Sequence, residues 1–225
     1  MVYITGDTHG DISRFKDKKI KKLKKGDTLI ICGDFGFLWD GSKKEQKVLK
    51  WLGKRKYHIL FVEGCNENYD LLDQYEVSEW NGGKVQVISG NLMHLMRGEI
   101  YTIEDKTYFA FGGGDGAPSQ DLQDHFASPG REQPTVRETS HGIDRLEEAQ
   151  GKVDIMITHD APIKITQSMD VEHDGVSFIQ NYLDALRKTT SFSAWYFGKY
   201  HKDRVIPPYY HNVFMDIIPV EPPKK

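Results

Sequence analysis

Five short apolar runs in this chain each stop abruptly and give way to side chains that can hold a metal ion. Val2-Tyr3-Ile4 leads into Gly6-Asp7-Thr8-His9-Gly10, Ile30-Ile31-Cys32 into Gly33-Asp34-Phe35-Gly36, and Leu60-Phe61-Val62 into Glu63-Gly64-Cys65-Asn66-Glu67. Ile155-Met156-Ile157 leads into Thr158-His159-Asp160, and Trp195-Tyr196-Phe197 into Gly198-Lys199-Tyr200-His201. Short β-branched and aromatic runs bounded by turn residues read as buried strands. Asp7 and His9 stand two residues apart, so in extended backbone a carboxylate oxygen and an imidazole nitrogen project to the same side. One Asp-x-His between glycines would serve equally well as a polar turn that caps a helix. Five such endings constrain the fold far more, because in open α/β sheets the ligand crevice lies beyond the carboxyl ends of the strands. The five endings are therefore expected to converge.

The segments between them set the fold class. Residues 11–25, with Asp11 as cap, Ile12, Phe15, Ile20 and Leu23 as an apolar stripe and Gly26 as stop, predict a helix. Residues 43–54 predict a second, with Val48, Leu49, Trp51 and Leu52 facing inward. Together with strands at 27–32 and 58–63 this makes a β-α-β-α-β start, hence an α/β fold with parallel strands and right-handed crossovers. After a short helix at 67–74 and an Asn81-Gly82-Gly83 turn, the pattern changes. Residues 84–88, 92–96, 99–103 and 107–111 predict an antiparallel meander. Residues 113–137 are polar and irregular, which suits a lid, a partner surface or a disordered loop, and their glycine run lacks the lysine of a P-loop. Helices are expected at 138–150, with Ile143, Leu146 and Ala149 inward, and at 175–188; a closing strand is expected at 213–218 and a disposable tail at 220–225. One domain over residues 1–225 is the simplest organisation for this length.

Charge and cysteines narrow the function. A formal net charge of −3 gives no global basic field, so nucleic acid is not favoured as a partner. The outer face of the first helix, carrying Arg14, Lys16, Lys18, Lys19, Lys21, Lys22, Lys24 and Lys25, is either a solvated face or a phosphate-attracting patch. No apolar stretch is long enough to span a membrane and no signal peptide is apparent, so a cytoplasmic protein is expected. Cys32 and Cys65 both sit at strand ends beside the expected site, where reduced thiols are expected.

In sequence, Gly6-Asp7-Thr8-His9-Gly10, Gly33-Asp34, the Gly64 segment, Thr158-His159 and Gly198-Lys199-Tyr200-His201 resemble the five motifs of the calcineurin-like metallophosphoesterases, over most of the chain. Phe61-Val62-Glu63-Gly64, Glu67-Asn68-Tyr69-Asp70, Trp80-Asn81-Gly82-Gly83 and His94-Leu95-Met96-Arg97-Gly98 resemble the short bacterial and phage members. The resemblance implies a sandwich of two mixed β-sheets flanked by helices, two divalent metals sharing an aspartate, and in-line attack on phosphorus by a metal-bound hydroxide. Two cations neutralise a phosphoryl group and lower the pKa of water. It implies a complete first metal site: Asp7, His9, the bridging Asp34 and His201. The second would use Asp34, His159, an asparagine and a histidine, but the last two positions are Cys65 and Lys199. The family's leaving-group histidine is replaced by Asn66.

Each departure has a chemical consequence. A protonated lysine has no lone pair for a metal. Either Lys199 swings outward, or its ammonium stands in the second metal's place and faces Asp34 or a phosphate, which is the expected arrangement. Cys65 is either a small buried thiol or, as a thiolate with Asp34 and His159, part of a zinc-type ligand set. Asn66 can contact a phosphate but cannot move a proton, a loss of roughly 10²- to 10⁴-fold. Arg97 either reaches a phosphate or forms an ion pair, and Asp160 is expected to face solvent. About one divalent ion per chain (manganese, iron or zinc) is expected at the one complete ligand set. Two functions stand nearly level: weakened hydrolysis of a phosphoester, or an inactive member that holds a phosphorylated small molecule or protein partner.

Overall fold

The apolar runs are buried on both faces because each of their strands separates two cores. The structure, a computed structural model, describes residues 1–116, 130–169 and 177–220. Most of the expected loop, the start of the helix expected at 175 and the tail beyond 220 lie outside the described residues. One sheet comprises β1 (Val2–Thr5), β2 (Thr28–Cys32), β3 (His58–Val62), β4 (Val77–Trp80), β5 (Gly83–Ser89), β6 (Leu92–Leu95) and β13 (Ile218–Pro219), in the order β13-β1-β2-β3-β6-β5-β4. The other comprises β7 (Glu99–Ile103), β8 (Lys106–Phe111), β9 (Ile155–Thr158), β10 (Ala194–Phe197), β11 (Arg204–Ile206) and β12 (Tyr210–Asn212), in the order β11-β12-β10-β9-β8-β7. Successive side chains alternate between faces. Ile30, Leu60, Val62, Ala110, Ile157 and Tyr196 meet between the sheets. Their neighbours Leu29, Ile31, Ile59 and Phe61 pack outward against helices, as do Phe109, Met156, Trp195 and Phe197 on the far side.

The helices cover the two outer faces. A 3-10 turn (Ile12–Lys16), α1 (Lys18–Lys21) and α2 (Lys43–Gly53) cover the first sheet; α3 (Tyr69–Leu72) adds Leu72 to the same core. On the second sheet lie α4 (Val136–Glu148), α5 (Ile163–Gln167) and α6 (Phe178–Thr189). Parallel and antiparallel pairs occur in both sheets. This is the sandwich of two mixed sheets flanked by helices that the resemblance implies. Among the described residues no helix is long and apolar enough to cross a membrane.

Several expectations need correction. The helix expected over 11–25 is two short pieces, because Asp17 accepts from the Lys19 amide and starts a new cap in mid-stretch. Trp51 is 36% exposed, with its ring edge to Phe15 and Arg55 stacked on its face. Ile143 is exposed too, while Leu146 is buried as expected, together with Thr139 and Gly142. The chain at 213–218 forms no long closing strand; β12 ends before it and β13 only begins at its end. The expected meander is two hairpins in different sheets: β5 pairs with β6, β7 pairs with β8, and β6 joins β3 in parallel. Turn residues fix which consecutive strands pair, not which sheet they join.

The crossing between sheets is held by buried charge. Arg97, between β6 and β7, pairs with Glu63 at the end of β3 and lies 3.2 Å from Glu138 of α4. His94 joins Glu63 at 2.7 Å and Gln86 at 2.9 Å. Burial pushes the Glu63 carboxyl up, but Arg97 and His94 outweigh it and hold its pKa at about 2, below the ordinary 4.5. Its contribution to stability is therefore complete above about pH 4.5 and is lost as pH falls through about 2. Replacing Glu63 by Gln leaves Arg97 without a buried partner and should lower stability at neutral pH by about 3–5 kcal/mol. Urea unfolding of the two proteins should show that gap, and it should shrink as the pH is lowered into the acid range.

Candidate metal centre

The five strand endings do meet, at the carboxyl edge shared by β1, β2, β3, β9 and β10. Four of the site residues leave their strands in left-handed backbone: His9 (φ 45°), Asp34 (φ 40°), Lys199 (φ 62°) and His201 (φ 48°). Such conformations cost of order 1–3 kcal/mol each and persist where the surroundings over-determine them. Here hydrogen bonds do so. The Asp34 carbonyl accepts from the Thr8 and His9 amides at 3.0 and 2.8 Å, and the Thr8 hydroxyl donates to the Phe35 carbonyl at 2.7 Å. Two glycines allow the close approach: a Cβ at Gly64 would lie 2.1 Å from Asp34 Oδ1, and one at Gly198 would lie 2.1 Å from Asp7 Oδ1.

Two buried residues brace this arrangement. Arg14, expected on the solvated face of a helix, is buried instead; it donates to the Asp7 carbonyl and the Thr5 hydroxyl, each at 2.9 Å, and to the Phe214 carbonyl. Glu67 accepts from the Phe35 and Gly36 amides and so fixes the loop that carries Asp34. A stretch of lysines masked Arg14 in the sequence, whereas Glu67 could have been noticed as the closing residue of a strand-end motif.

Asp7, His9 and His201 form the one cluster among the described residues whose donors lie close enough to share an ion, all within 4.8 Å of one another. His9 Nε2 faces His201 Nε2 at 2.9 Å, and His201 Nε2 is 3.0 Å from Asp7 Oδ2. One proton can bridge only one of these pairs, whereas a cation accepts all three lone pairs, so the residues fit a divalent metal. Burial pushes the Asp7 carboxyl up, but His159, His201 and the Lys199 amide outweigh it and hold its pKa well below the carboxylate range. Asp34 borders the cluster, its Oδ2 3.8 Å from His9 Nδ1. Both of its oxygens accept from Asn66 at 2.7 Å, one from the amide N–H and one from the side chain.

His159 lies between the two carboxylates, 3.6 Å from Asp7 and 3.6 Å from Asp34. Its Nδ1 donates to the Cys32 carbonyl at 3.1 Å, and its buried Nε2 has no hydrogen-bond partner. That tautomer is the one a metal-ligating histidine adopts. Burial works against charge on this ring, yet Asp34 and Asp7 outweigh it and raise its pKa. Proton and cation therefore compete for the same nitrogen.

Lys199 turns inward and does not line the open pocket; Asp34 acts on its charge, but its direct contacts are with other groups. Its Nζ donates to the Asp115 carbonyl, lies 3.4 Å from Cys65 Sγ and 3.7 Å from Asp160 Oδ2. Burial disfavours the ammonium, but Cys65 and Asp160 outweigh it and raise the pKa. Asp160, expected to face solvent, is fully buried and also accepts from the Tyr200 hydroxyl and, at 3.0 Å, from the Asp115 amide. The correction has a simple cause: a buried ammonium requires a counterion, and Asp160 is one residue beyond His159. Cys65 stands beside this ammonium and outside the cluster of converging donors. Arg97 takes the ion-pair course: its guanidinium is buried, paired with Glu63 and bonded to the Tyr69 hydroxyl and three backbone carbonyls.

The family model of the calcineurin-like phosphoesterases matches residues 1–203. No curated protein matches the chain. A brace such as Arg14 orients a ligand without touching the metal, and loss of such support typically costs 10- to 100-fold in affinity. Arg14→Met should therefore weaken manganese binding by about that factor while Lys16→Met leaves it unchanged. Isothermal titration calorimetry on the folded variants checks this; equal affinity in both would show that Arg14 does not support the donor set.

Proposed function

This chain belongs to the calcineurin-like phosphoesterases, and from that membership we propose a metal-dependent phosphoesterase centre reduced to one divalent cation, with hydrolysis slowed by the substitutions at its second position. Asp7, His9 and His201 would hold the cation, with Asp34 at its border. A divalent ion there supplies a Lewis acid that draws charge from a phosphoryl oxygen and lowers the pKa of water. Manganese, iron and zinc all suit two imidazoles and a carboxylate.

The observation that carries this reading is the burial of the Lys199 ammonium against Asp160 and Cys65, on the side where the second cation would sit. At an effective dielectric of about 20, each unit of cation charge placed about 4 Å from an ammonium costs about 4 kcal/mol. Two like-charged occupants therefore exclude one another. A phosphoester would enter the pocket of about 540 Å³ lined by His9, Gly10, Gly36, Trp39 and Asn66. Asn66 orients the phosphoryl group there but has no proton to give the leaving group, which departs unassisted. Lys199 does not line that pocket and acts as a fixed structural charge. A second reading, a member that holds a phosphorylated small molecule or a protein partner without turnover, is favoured by the capture of both Asp34 oxygens by Asn66.

Reversion tests the proposal. Cys65→Asn, Asn66→His and Lys199→His together restore two neutral ligands and the proton donor. With manganese, the triple variant should hydrolyse an aryl phosphodiester at least about 10²-fold faster than the natural chain. A natural chain as fast as its revertant would contradict an impaired centre, and a natural chain with no turnover at all would favour the binding reading. Lys199→His alone leaves Asp160 buried without its cation and should cost about 3–5 kcal/mol of stability in chelator, a loss that added manganese reverses. Thermal unfolding with and without the metal measures it.

A further inference from the structure

Half of the chain's positive charge is concentrated in one-fifth of its length. Residues 12–56 hold 15 of the 30 lysines and arginines but only 5 of the 33 aspartates and glutamates. Their formal charge is +10, against −13 over the rest of a chain whose total is −3. Apart from the buried Arg14, this charge belongs to segments packed on the outer side of the first sheet. The 3-10 turn, α1 and α2 all send their apolar side chains, Phe15, Ile20, Leu49 and Leu52, into the same core on the first sheet. Phe15 meets Trp51 edge-on at 6.4 Å, which joins the two helical segments.

The opposite sides carry the lysines. All seven between residues 16 and 25 are exposed. On α2 and its cap, Lys43, Lys47, Lys50 and Lys54 are exposed and spaced by four, three and four residues, which places them in a single row opposite Leu49 and Leu52. At 1.5 Å per residue that row is about 16 Å long. The acidic side chains of the same region are turned to backbone amides and form no ion pair with these lysines. Glu45 accepts from the Trp39, Asp40 and Gly41 amides, Asp17 from the Lys19 amide, Asp27 from the Lys24 amide and the N-terminus, and Asp40 from the Ser42 amide. Lys188 and Lys199 are in ion pairs, and neither is on this face.

A row of uncompensated ammonium groups fits a polyanion with regularly spaced charges. A membrane-surface helix needs a free apolar face to insert. Here the apolar faces of α1 and α2 are consumed by the core, and Trp51 is the one large apolar side chain exposed on α2. The face of Trp51 is already covered by Arg55, so the aromatic side chain left to meet a base is the half-buried Trp39, whose amide donates to Glu45 of α2. Trp39 lines the pocket beside His9. Stacked bases with a lysine-tracked backbone are how single strands are held. We propose that this face docks a single-stranded nucleic acid through its phosphate backbone. The net charge of the chain conceals the patch, because the acidic remainder cancels it.

The proposal does not rest on the one-cation reading, and its test is run in chelator so that the two can fail separately. Fluorescence anisotropy with a labelled single-stranded oligonucleotide of mixed sequence reads the binding. Four backbone contacts along the row should give a log–log salt slope of about −2.8, so affinity should fall about 50-fold between 50 and 200 mM salt. The variant K43Q/K47Q/K50Q/K54Q should bind at least about tenfold more weakly and lose most of that slope. K84Q/K106Q/K152Q/K164Q, which makes the same change in net charge elsewhere, should bind like the natural chain. Unchanged binding in the first variant, or equal weakening in both, overturns the proposal. So does capture by phosphatidylserine vesicles without binding of the oligonucleotide. Circular dichroism melts establish that all three proteins are folded.

Discussion

Three carboxylates, those of Asp7, Asp34 and Asp160, lie buried where the ends of the two sheets meet, and buried negative charge needs compensation. The geometry of the site follows from how that is done. His201 and His9 face Asp7 from the rim, His159 stands between Asp7 and Asp34, and Lys199 answers Asp160. Of these, Lys199 alone carries a charge that no bound ion can replace at neutral pH, because an ammonium keeps its proton in this setting. A two-cation centre loads both of its positive charges from solution. In the one-cation centre proposed above, Lys199 would supply one unit of positive charge at folding and a divalent cation the other two.

The fold was legible wherever one element decided its own neighbours. Short apolar runs that give way to a glycine or, in β9, a threonine mark β1, β2, β3, β9 and β10, and the residues between β1, β2 and β3 mark parallel crossovers. The allocation of hairpins to sheets was not legible. It depends on contacts between residues far apart in sequence, such as the buried pair of Arg97 with Glu63, which no local pattern announces. Trp51 and Ile143 were misplaced for a related reason: apolar character predicts an inward face, while the neighbouring helices and sheet determine how wide that face is.

The site was legible as a set of positions and less so as a set of contacts. Gly-Asp-x-His, Gly-Asp, Thr-His and the terminal histidine are recognised by order and spacing, and the structure brings Asp7, His9 and His201 together. The direction in which Lys199 points depends on Asp160 and on the Asp115 carbonyl, neither of which a motif includes. Arg14 and Glu67 act on backbone atoms of other segments, Asp7 and Phe35, so their partners cannot be read from residue type even where, as for Glu67, the position is marked by a motif.

The claim that Lys199 and Asp160 stand in for the second cation is tested most directly by anomalous scattering from crystals grown with manganese. The account predicts one peak, bounded by Asp7, His9 and His201, with the Lys199 side chain still turned toward Asp160. A second peak between Asp34 and His159, with Lys199 displaced from Asp160, would contradict it.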